Sequence, residues 1–337
     1  MTRGTQTRWG ATATVLLVSV LAGCGHDDSA ATATTSGTSE GPALHVVATV
    51  DVAGAFTILP AGDRFWVIAG GTGEVTQVDP STDRVTKVVS LPHPAAYATL
   101  THGSLWLVSY YDDALMEVDA RTGNLLRTLE RSRTLPLSYP GGVVATGHDL
   151  WIVNHRQPKL LRVDARTGKV SQTTSLAGHN AGGPSLVDGS MWVSVTREGL
   201  IYEVDSARGK VVGRPIPVES GLCLWASVVG SDIWFTSVRS EGFNCQNGTS
   251  RLDTTTGEVS SMPWSEGKGL YTFTRYAGAL WATDDKRTVY QVDEDTGALR
   301  TVMTLPGKPD ANHLFTAFGS LWMTRSGAGE VLRLDVS

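Results

Sequence analysis

The chain has 337 residues, with 28 basic and 33 acidic side chains and a formal charge of −5. An acidic balance with no polybasic cluster excludes electrostatic capture of nucleic acid or of anionic lipid. Three cysteines with no Cys-x-x-Cys among them exclude a thioredoxin-type redox pair, and two or three thiols alone do not make a zinc site.

The first 23 residues read as an export signal rather than as part of the fold. Arg3 and Arg8 form a basic segment, and the apolar run Thr14 to Leu21 (TVLLVSVL) is too short to span a bilayer as a mature helix. The following Leu21-Ala22-Gly23-Cys24 resembles the bacterial lipobox, which implies that Cys24 is lipidated and is the first mature residue. Acyl chains contribute about 0.8 kcal/mol per buried CH₂, so two or three of them hold a soluble domain at a membrane surface. The expected location is therefore the outer face of a bacterial cytoplasmic membrane. The mature chain carries 26 basic against 33 acidic residues, a formal charge of −7. Residues 24–42 are the lipidated cysteine and a tether rich in Thr, Ser, Ala and Gly, without a large apolar residue to nucleate a core. With Cys24 assigned to lipid, Cys223 and Cys245 are left as an expected disulfide in an oxidising compartment. Such a cross-link stabilises by roughly 3 kcal/mol in the chain-entropy model.

From residue 43 onward one unit repeats. Trp66, Trp106, Trp151, Trp192, Trp234, Trp281 and Trp322 recur every 40 to 47 residues. Each precedes an aspartate that closes a valine-rich strand: Asp79, Asp119, Asp164, Asp205, Asp253, Asp293 and Asp335. Seven copies of this length predict an all-β domain over 43–337, a seven-bladed β-propeller of four-stranded antiparallel blades. The third copy gives the pattern: strand A from Gly142 to Ala145, strand B from Leu150 to Val153, strand C from Leu160 to Asp164, and strand D from Lys169. Between C and D lies a tight hairpin, Thr167-Gly168 here and Thr122-Gly123, Arg208-Gly209, Thr256-Gly257 and Thr296-Gly297 elsewhere. Glycine supplies the positive φ, and the preceding aspartate accepts backbone N–H groups across the turn. The tryptophans, near the start of each strand B, are expected to pack between neighbouring blades.

The last unit ends before its strand D. The stretch Leu44 to Val52 (LHVVATVDV) has the alternation of a D strand, so the N-terminal strand is expected to complete the last blade and remove an open edge.

The segments SLWLVSYYDDALMEVDARTG from Ser104, DLWIVNHRQPKLLRVDARTG from Asp149 and ALWATDD from Ala279 resemble the YVTN-type and streptogramin lyase-like β-propellers. The resemblance covers the whole domain and is specific for fold. It also implies that the loops joining B to C and D to the next A gather on one face around the central channel, where ligands bind. That face would carry Tyr110, Asp112, His155, His179, Arg197, Asp284, His313 and Arg325, while His102 and His148 would lie on the opposite face.

The lyase-like pattern has a histidine 11 residues before a blade tryptophan and a glutamate three after it. Here the residues three after are Ala69, Ser109, Asn154, Val195, Ser237, Asp284 and Arg325, and none is glutamate. Asp284 and His313, the latter two places off register, are the weak catalytic candidates, as an acid/base or metal pair. The preferred reading is a binding or scaffolding propeller for an envelope protein or ligand, with no cofactor. The alternatives are a metal-assisted lyase or hydrolase on a small cyclic or lactone-like substrate, and a small-molecule sensor. The fifth unit's longer loop, with Arg239, Glu241 and Phe243, is either a rigid contact or a tolerated insertion.

Overall fold

A computed structural model describes residues 43–218, 224–237, 248–262, 269–284, 286–307 and 312–337; the side chains of Leu224, Trp225, Ser237 and Asn312 fall outside this description. Cys24, Cys223, Cys245, Arg239, Glu241 and Phe243 also lie outside the described residues.

Twenty-eight strands follow in chain order, and there is no helix among the described residues. The first, β1 (Leu44–Asp51), precedes the blades proper. Blade 1 is β2 to β5 (Ala55–Ala61, Arg64–Ala69, Glu74–Asp79, Arg84–Ser90) and blade 2 is β6 to β9 (Tyr97–Thr101, Ser104–Ser109, Ala114–Asp119, Leu125–Glu130). Blade 3 is β10 to β13 (Pro140–Thr146, Asp149–Asn154, Lys159–Asp164, Lys169–Ser175) and blade 4 is β14 to β17 (Ser185–Val187, Ser190–Val195, Leu200–Asp205, Lys210–Pro217). Blade 5 is β18 to β21 (Leu224–Val229, Asp232–Ser237, Gly248–Asp253, Val259–Met262) and blade 6 is β22 to β25 (Leu270–Tyr276, Ala279–Asp284, Thr288–Val292, Leu299–Thr304). Blade 7 contains β26 (Asn312–Ala317), β27 (Ser320–Arg325) and β28 (Glu330–Val336), and β1 is its fourth strand. The expected closure is present: β1 runs antiparallel to β28 with Leu44 opposite Val336 and Asp51 opposite Glu330.

The core consists of seven clusters, each between two neighbouring blades. Trp66 packs on Leu105, Leu107 and Met116 of blade 2, and Trp106 on Leu150, Ile152 and Leu161 of blade 3. The pattern continues around the ring until Trp322 of blade 7 packs on Phe65, Val67 and Val78 of blade 1. All seven rings are at most 3 % exposed, so each buries nearly its whole surface against the next blade. Three indole N–H groups reach carbonyls, Trp66 Nε1 donating to Ala120 O of blade 2 at 2.9 Å, Trp281 Nε1 to Tyr276 O at 2.9 Å and Trp322 Nε1 to Ala317 O at 3.1 Å, while Trp151 Nε1 donates to Thr146 Oγ1 at 3.0 Å.

Outer strands are stitched to the next C–D turn. Lys87 Nζ donates to Thr122 O, and Arg127, over the Trp106 ring at 5.0 Å, donates to Arg166 O at 3.0 Å. The turn glycines have a second reason beyond positive φ. A Cβ on Gly123 would stand 2.6 Å from Lys87 Cδ, and one on Gly168 would stand 2.6 Å from Leu129 Cδ1, so the turns dock against the previous blade's outer strand only without a side chain.

Six of the seven repeat aspartates cap their C–D turn. Oδ1 of Asp79, Asp119, Asp164, Asp205, Asp253 and Asp293 accepts the N–H two residues on at 2.8–3.2 Å. Asp335 departs from that expectation, because β28 is not joined to its outer strand by a hairpin. It accepts Tyr276 Oη of blade 6 at 3.0 Å instead. Blade 1 also differs: Asp83 holds the turn's positive φ (54°) where the others have glycine, and its carboxylate pairs with Arg333 of blade 7 at 2.8 Å.

Two outcomes are expected. Trp322→Ala removes the wedge between the last and first blades, at a cost of about 3–5 kcal/mol and a fall of roughly 10 °C in a thermal melt. Deleting Leu44–Asp51 exposes the edge of β28 and should shift the protein to aggregates on size exclusion. The turn carboxylates predict acid sensitivity. The Arg166 guanidinium, with the N–H groups of Thr167 and Arg166, holds Asp164 at about 2 against an ordinary 3.8. A carboxyl with a lowered folded pKa contributes stability above its unfolded value, and that contribution is lost as pH falls through the folded one. Stability should therefore decline between about pH 4 and pH 2, and less steeply in Asp164→Ala than in the parent.

Candidate functional site

Antiparallel order within every blade puts B–C loops and D–A loops at the same end, and their contacts are direct. Between blades 2 and 4 three loops build one continuous aromatic and charged rim. Tyr110 and Tyr111 come from the β7–β8 loop, Tyr139 from the β9–β10 connection, and His155 and Arg156 from the β11–β12 loop. The Tyr110 ring centroid lies 5.0 Å from Tyr111, 5.4 Å from Tyr139 and 5.6 Å from His155, all edge to face, and Arg156 Cζ sits 3.7 Å over the Tyr139 ring. Such contacts fix ring orientation and leave a rigid, amphipathic surface. Tyr111 is 83 % exposed, the most exposed large hydrophobic side chain described.

Backbone bonds set this arrangement. Asp113 Oδ1 accepts the Tyr139 N–H at 2.6 Å, Tyr139 O accepts the His155 N–H at 3.0 Å, and His155 Nδ1 contacts Ala181 O of the next connection at 2.8 Å. Asp113 and Tyr139 hold φ of 51° and 49°, a conformation that non-glycine residues adopt at a cost of about 1–3 kcal/mol and that clusters at functional sites. Because a carbonyl only accepts, Nδ1 of His155 carries its proton. Burial pushes the His155 pKa down, outweighing the Ala181 carbonyl, and Arg156 adds to the lowering. His155 is thus a neutral imidazole whose Nε2 is an acceptor.

The remaining expected residues divide. Asp112 is exposed, 3.1 Å from Ser109 Oγ and 3.3 Å from His93 Nδ1. His179 is exposed in the β13–β14 connection; its N–H and Nδ1 lie 2.8 and 2.7 Å from the Glu198 carboxylate. Burial opposes ionisation of Glu198, but these His179 contacts prevail and lower its pKa. Arg197 is exposed beside them, its N–H on His179 O at 3.4 Å. The other three are not loop residues of an open rim. Asp284 ends β23, is 1 % exposed, and accepts the N–H groups of Lys286 and Thr288 and Tyr290 Oη at 2.7–2.9 Å. Arg325 ends β27, pairs with Glu330 and donates to Pro306 O at 2.7 Å. His313 lies within the inner strand β26, 5 % exposed, and looks into the channel. Asp284 is thus a brace of its own blade, and Arg325 ties blade 7 to the connection that leads into it. Among the described residues no three His, Cys, Asp or Glu side chains converge as a metal site. His102 and His148, at the opposite end, stack with centroids 3.7 Å apart.

The aromatic lining of the channel was not anticipated from the sequence. Inner strands of blades 1, 2, 5, 6 and 7 enclose a cavity of ≈ 330 Å³ lined by Phe56, Tyr97, Tyr271, His313 and Phe315 and by threonine and serine hydroxyls. A signal existed: Phe56, Tyr97, Trp225, Tyr271 and His313 each stand nine or ten residues before a blade tryptophan. A larger cleft of ≈ 550 Å³ opens at the opposite end between blades 1 and 2, around Arg64, Lys87 and Arg121, away from both sites.

The fold and rim define a seven-bladed β-propeller with an aromatic, charged loop face. A family model described as outer membrane protein assembly factor BamB matches residues 45–182, from β1 through blade 3. Among solved structures, a streptogramin B lyase superposes with a TM-score of 0.71 at 15 % identity, covering 88 % of this chain and 98 % of that one. Virginiamycin B lyase from Staphylococcus aureus follows at 0.69 and 12 %, covering 86 % and 99 %. BamB from Moraxella catarrhalis gives 0.59 and 12 %, covering 87 % and 99 %. At these identities the likeness is one of fold. No curated protein matches the chain by sequence.

His155 provides a check on the rim. Nitrogen-detected NMR should find its Nδ1–H tautomer and a titration midpoint below the ordinary 6.5. In Asn180→Gly, which relaxes the neighbouring positive-φ residue without touching the bond to Ala181, the tautomer should persist.

Proposed function

We propose that the protein is a membrane-tethered, extracytoplasmic binding propeller that engages an envelope protein through the rim of blades 2 to 4. The observation that carries this reading is the Tyr110, Tyr111, Tyr139, His155 and Arg156 cluster, with Tyr111 83 % exposed yet braced by rigid neighbours. Tyrosine and arginine are the side chains that most often dominate the energetics of protein interfaces, and pre-ordering them reduces the entropy lost on binding. Asp112, His179 and Arg197 flank the cluster as mixed charge and set register with a partner more than affinity.

Three observations support the location and role. The lipobox-like Leu21 to Cys24 follows a basic and apolar leader. The family model that matches residues 45–182 is described as outer membrane protein assembly factor BamB. Leu44 enters β1 opposite Val336, at the end of the blade where the A–B and C–D turns lie, so the chain joins the propeller at the end away from the rim. In this proposal the 19 residues from Cys24 to Pro42 are the tether. The Cys223–Cys245 bond belongs to this proposal as a staple of the fifth blade.

The test is a photo-cross-linking residue placed in intact cells at Tyr111, with Phe318 on the opposite face as control. One dominant adduct at Tyr111, lost in Arg156→Ala with Tyr139→Ala and absent at Phe318, is the expected result. Adducts at Phe318 and none at Tyr111 would overturn the assigned face. Cys24→Ser should release the protein from membranes without changing its melting temperature.

A further inference from the structure

We infer that the channel cavity is a second, independent site that takes a neutral small molecule built on a planar ring. The inner strands of the seven blades are not equivalent. At the position nine or ten residues before the blade tryptophan, blades 3 and 4 carry Gly141 and Gly182, whereas blades 1, 2, 6 and 7 carry Phe56, Tyr97, Tyr271 and His313. The glycines let the inner strand of blade 3 close on the segment leading into β14: a Cβ on Gly142 would stand 2.7 Å from Gly183 Cα and 2.9 Å from Pro184 Cδ. The open space is thereby displaced to the other side of the axis, and the described residues that line the ≈ 330 Å³ cavity belong to strands β2, β6, β18, β22 and β26.

Two of the rings are aimed by backbone irregularity. The pairing of β2 with β3 slips between Ala55 and Thr57, and that of β22 with β23 slips between Leu270 and Thr272, so Phe56 and Tyr271 are each the extra residue of a β-bulge. Bulges re-aim single side chains and recur beside binding sites. The rings meet edge to face: Phe56 and His313 at 4.5 Å and 62°, Phe56 and Tyr97 at 6.4 Å and 81°, and Tyr271 and His313 at 5.8 Å and 52°. A wall of edge-to-face rings suits another flat ring set against it.

The chemistry of the lining selects against charge. Among the described residues that line the cavity there is no Lys, Arg, Asp or Glu. Its hydroxyls already serve the ring: Thr272 Oγ1 accepts the Leu314 N–H at 2.9 Å, Thr316 Oγ1 donates to Arg275 O at 2.9 Å, and Ser227 Oγ accepts the Phe273 N–H at 3.0 Å. A charged ligand would be desolvated with no counter-charge to meet it, at a cost far above any stacking gain. Burial, reinforced by Tyr110 and Tyr111, raises Tyr97 to about 12, so its hydroxyl is a neutral hydrogen-bonding group at physiological pH. The volume lies at the small end of the range for ligand pockets, which fits one or two fused rings.

The inference does not rest on the protein-binding rim, and the experiment separates them. Indole, phenol and quinoline are titrated calorimetrically into the full chain, with tetramethylammonium and benzoate as charged probes. At least one neutral ring should bind, and both ions should bind at least tenfold more weakly. Phe56→Ala and Tyr271→Ala should each weaken the neutral probe tenfold or more. Ala226→Phe, which fills the cavity from β18 without deleting a packed ring, should abolish its binding while the melting temperature is held. Tyr111→Ala on the rim should leave it unchanged. Failure of all three neutral probes, survival of binding in Ala226→Phe, or tighter binding of tetramethylammonium would each overturn the proposal.

Discussion

Everything in this protein depends on one repeated contact, the indole of each blade wedged against the sheet of the next. A four-stranded blade alone has two apolar faces and cannot bury either. Seven tryptophans, each at most 3 % exposed, supply the flat, large surface that joins neighbours into seven inter-blade cores. The ring is then only as strong as its last junction. That junction concentrates unlike contacts: Trp322 on Phe65, Arg333 on Asp83, Thr324 Oγ1 on Phe56 O, and β1 paired along β28. Closure by strands from both ends of the sequence makes the domain one cooperative unit rather than a stack that frays from its ends.

Ring geometry also sorts the chemistry. Antiparallel blades send every B–C and D–A loop to one end and every A–B and C–D turn to the other. The turn end is built for precision, with two-residue hairpins such as His102-Gly103 at φ of 49° and 76° and aspartates capping the C–D turns. The loop end has longer, irregular connections, and there Asp113 and Tyr139 keep strained conformations held by their own hydrogen bonds. Strain, exposed tyrosine and mixed charge meet on the same rim, which is where a partner would find a surface already ordered.

The sevenfold pattern is imperfect in a way that matters for the channel. Glycine pairs let blades 3 and 4 approach closely, and bulges at Phe56 and Tyr271 turn rings inward on the opposite side. A perfectly regular propeller would have a uniform pore. This one has an aromatic cavity beside Phe56 and Tyr271, because close backbone approach between blades 3 and 4 and bulged inner strands are both tolerated within the same tryptophan-locked ring.

The sequence by itself determined the period, the blade number, the strand order within each blade, the C–D hairpins and the closing role of Leu44 to Val52. These are local or periodic features, written in alternation and in residues that only certain turns accept. The resemblance to streptogramin lyase-like propellers, rather than the spacing, implied that Tyr110, Asp112, His155, His179 and Arg197 share the loop end around the channel. Tertiary structure decided the rest. Asp284 and Arg325 read as loop residues, but strand ends extend to include them, Asp284 bonding within its own blade and Arg325 holding Glu330 and the Pro306 carbonyl of the connection from blade 6. His313 belongs to an inner strand, and its neighbours Phe56 and Tyr271 come from blades far away in sequence. A bulge changes which way one side chain points without altering composition or period, so the aromatic wall of the channel was fixed by packing around the ring, where no local pattern reaches.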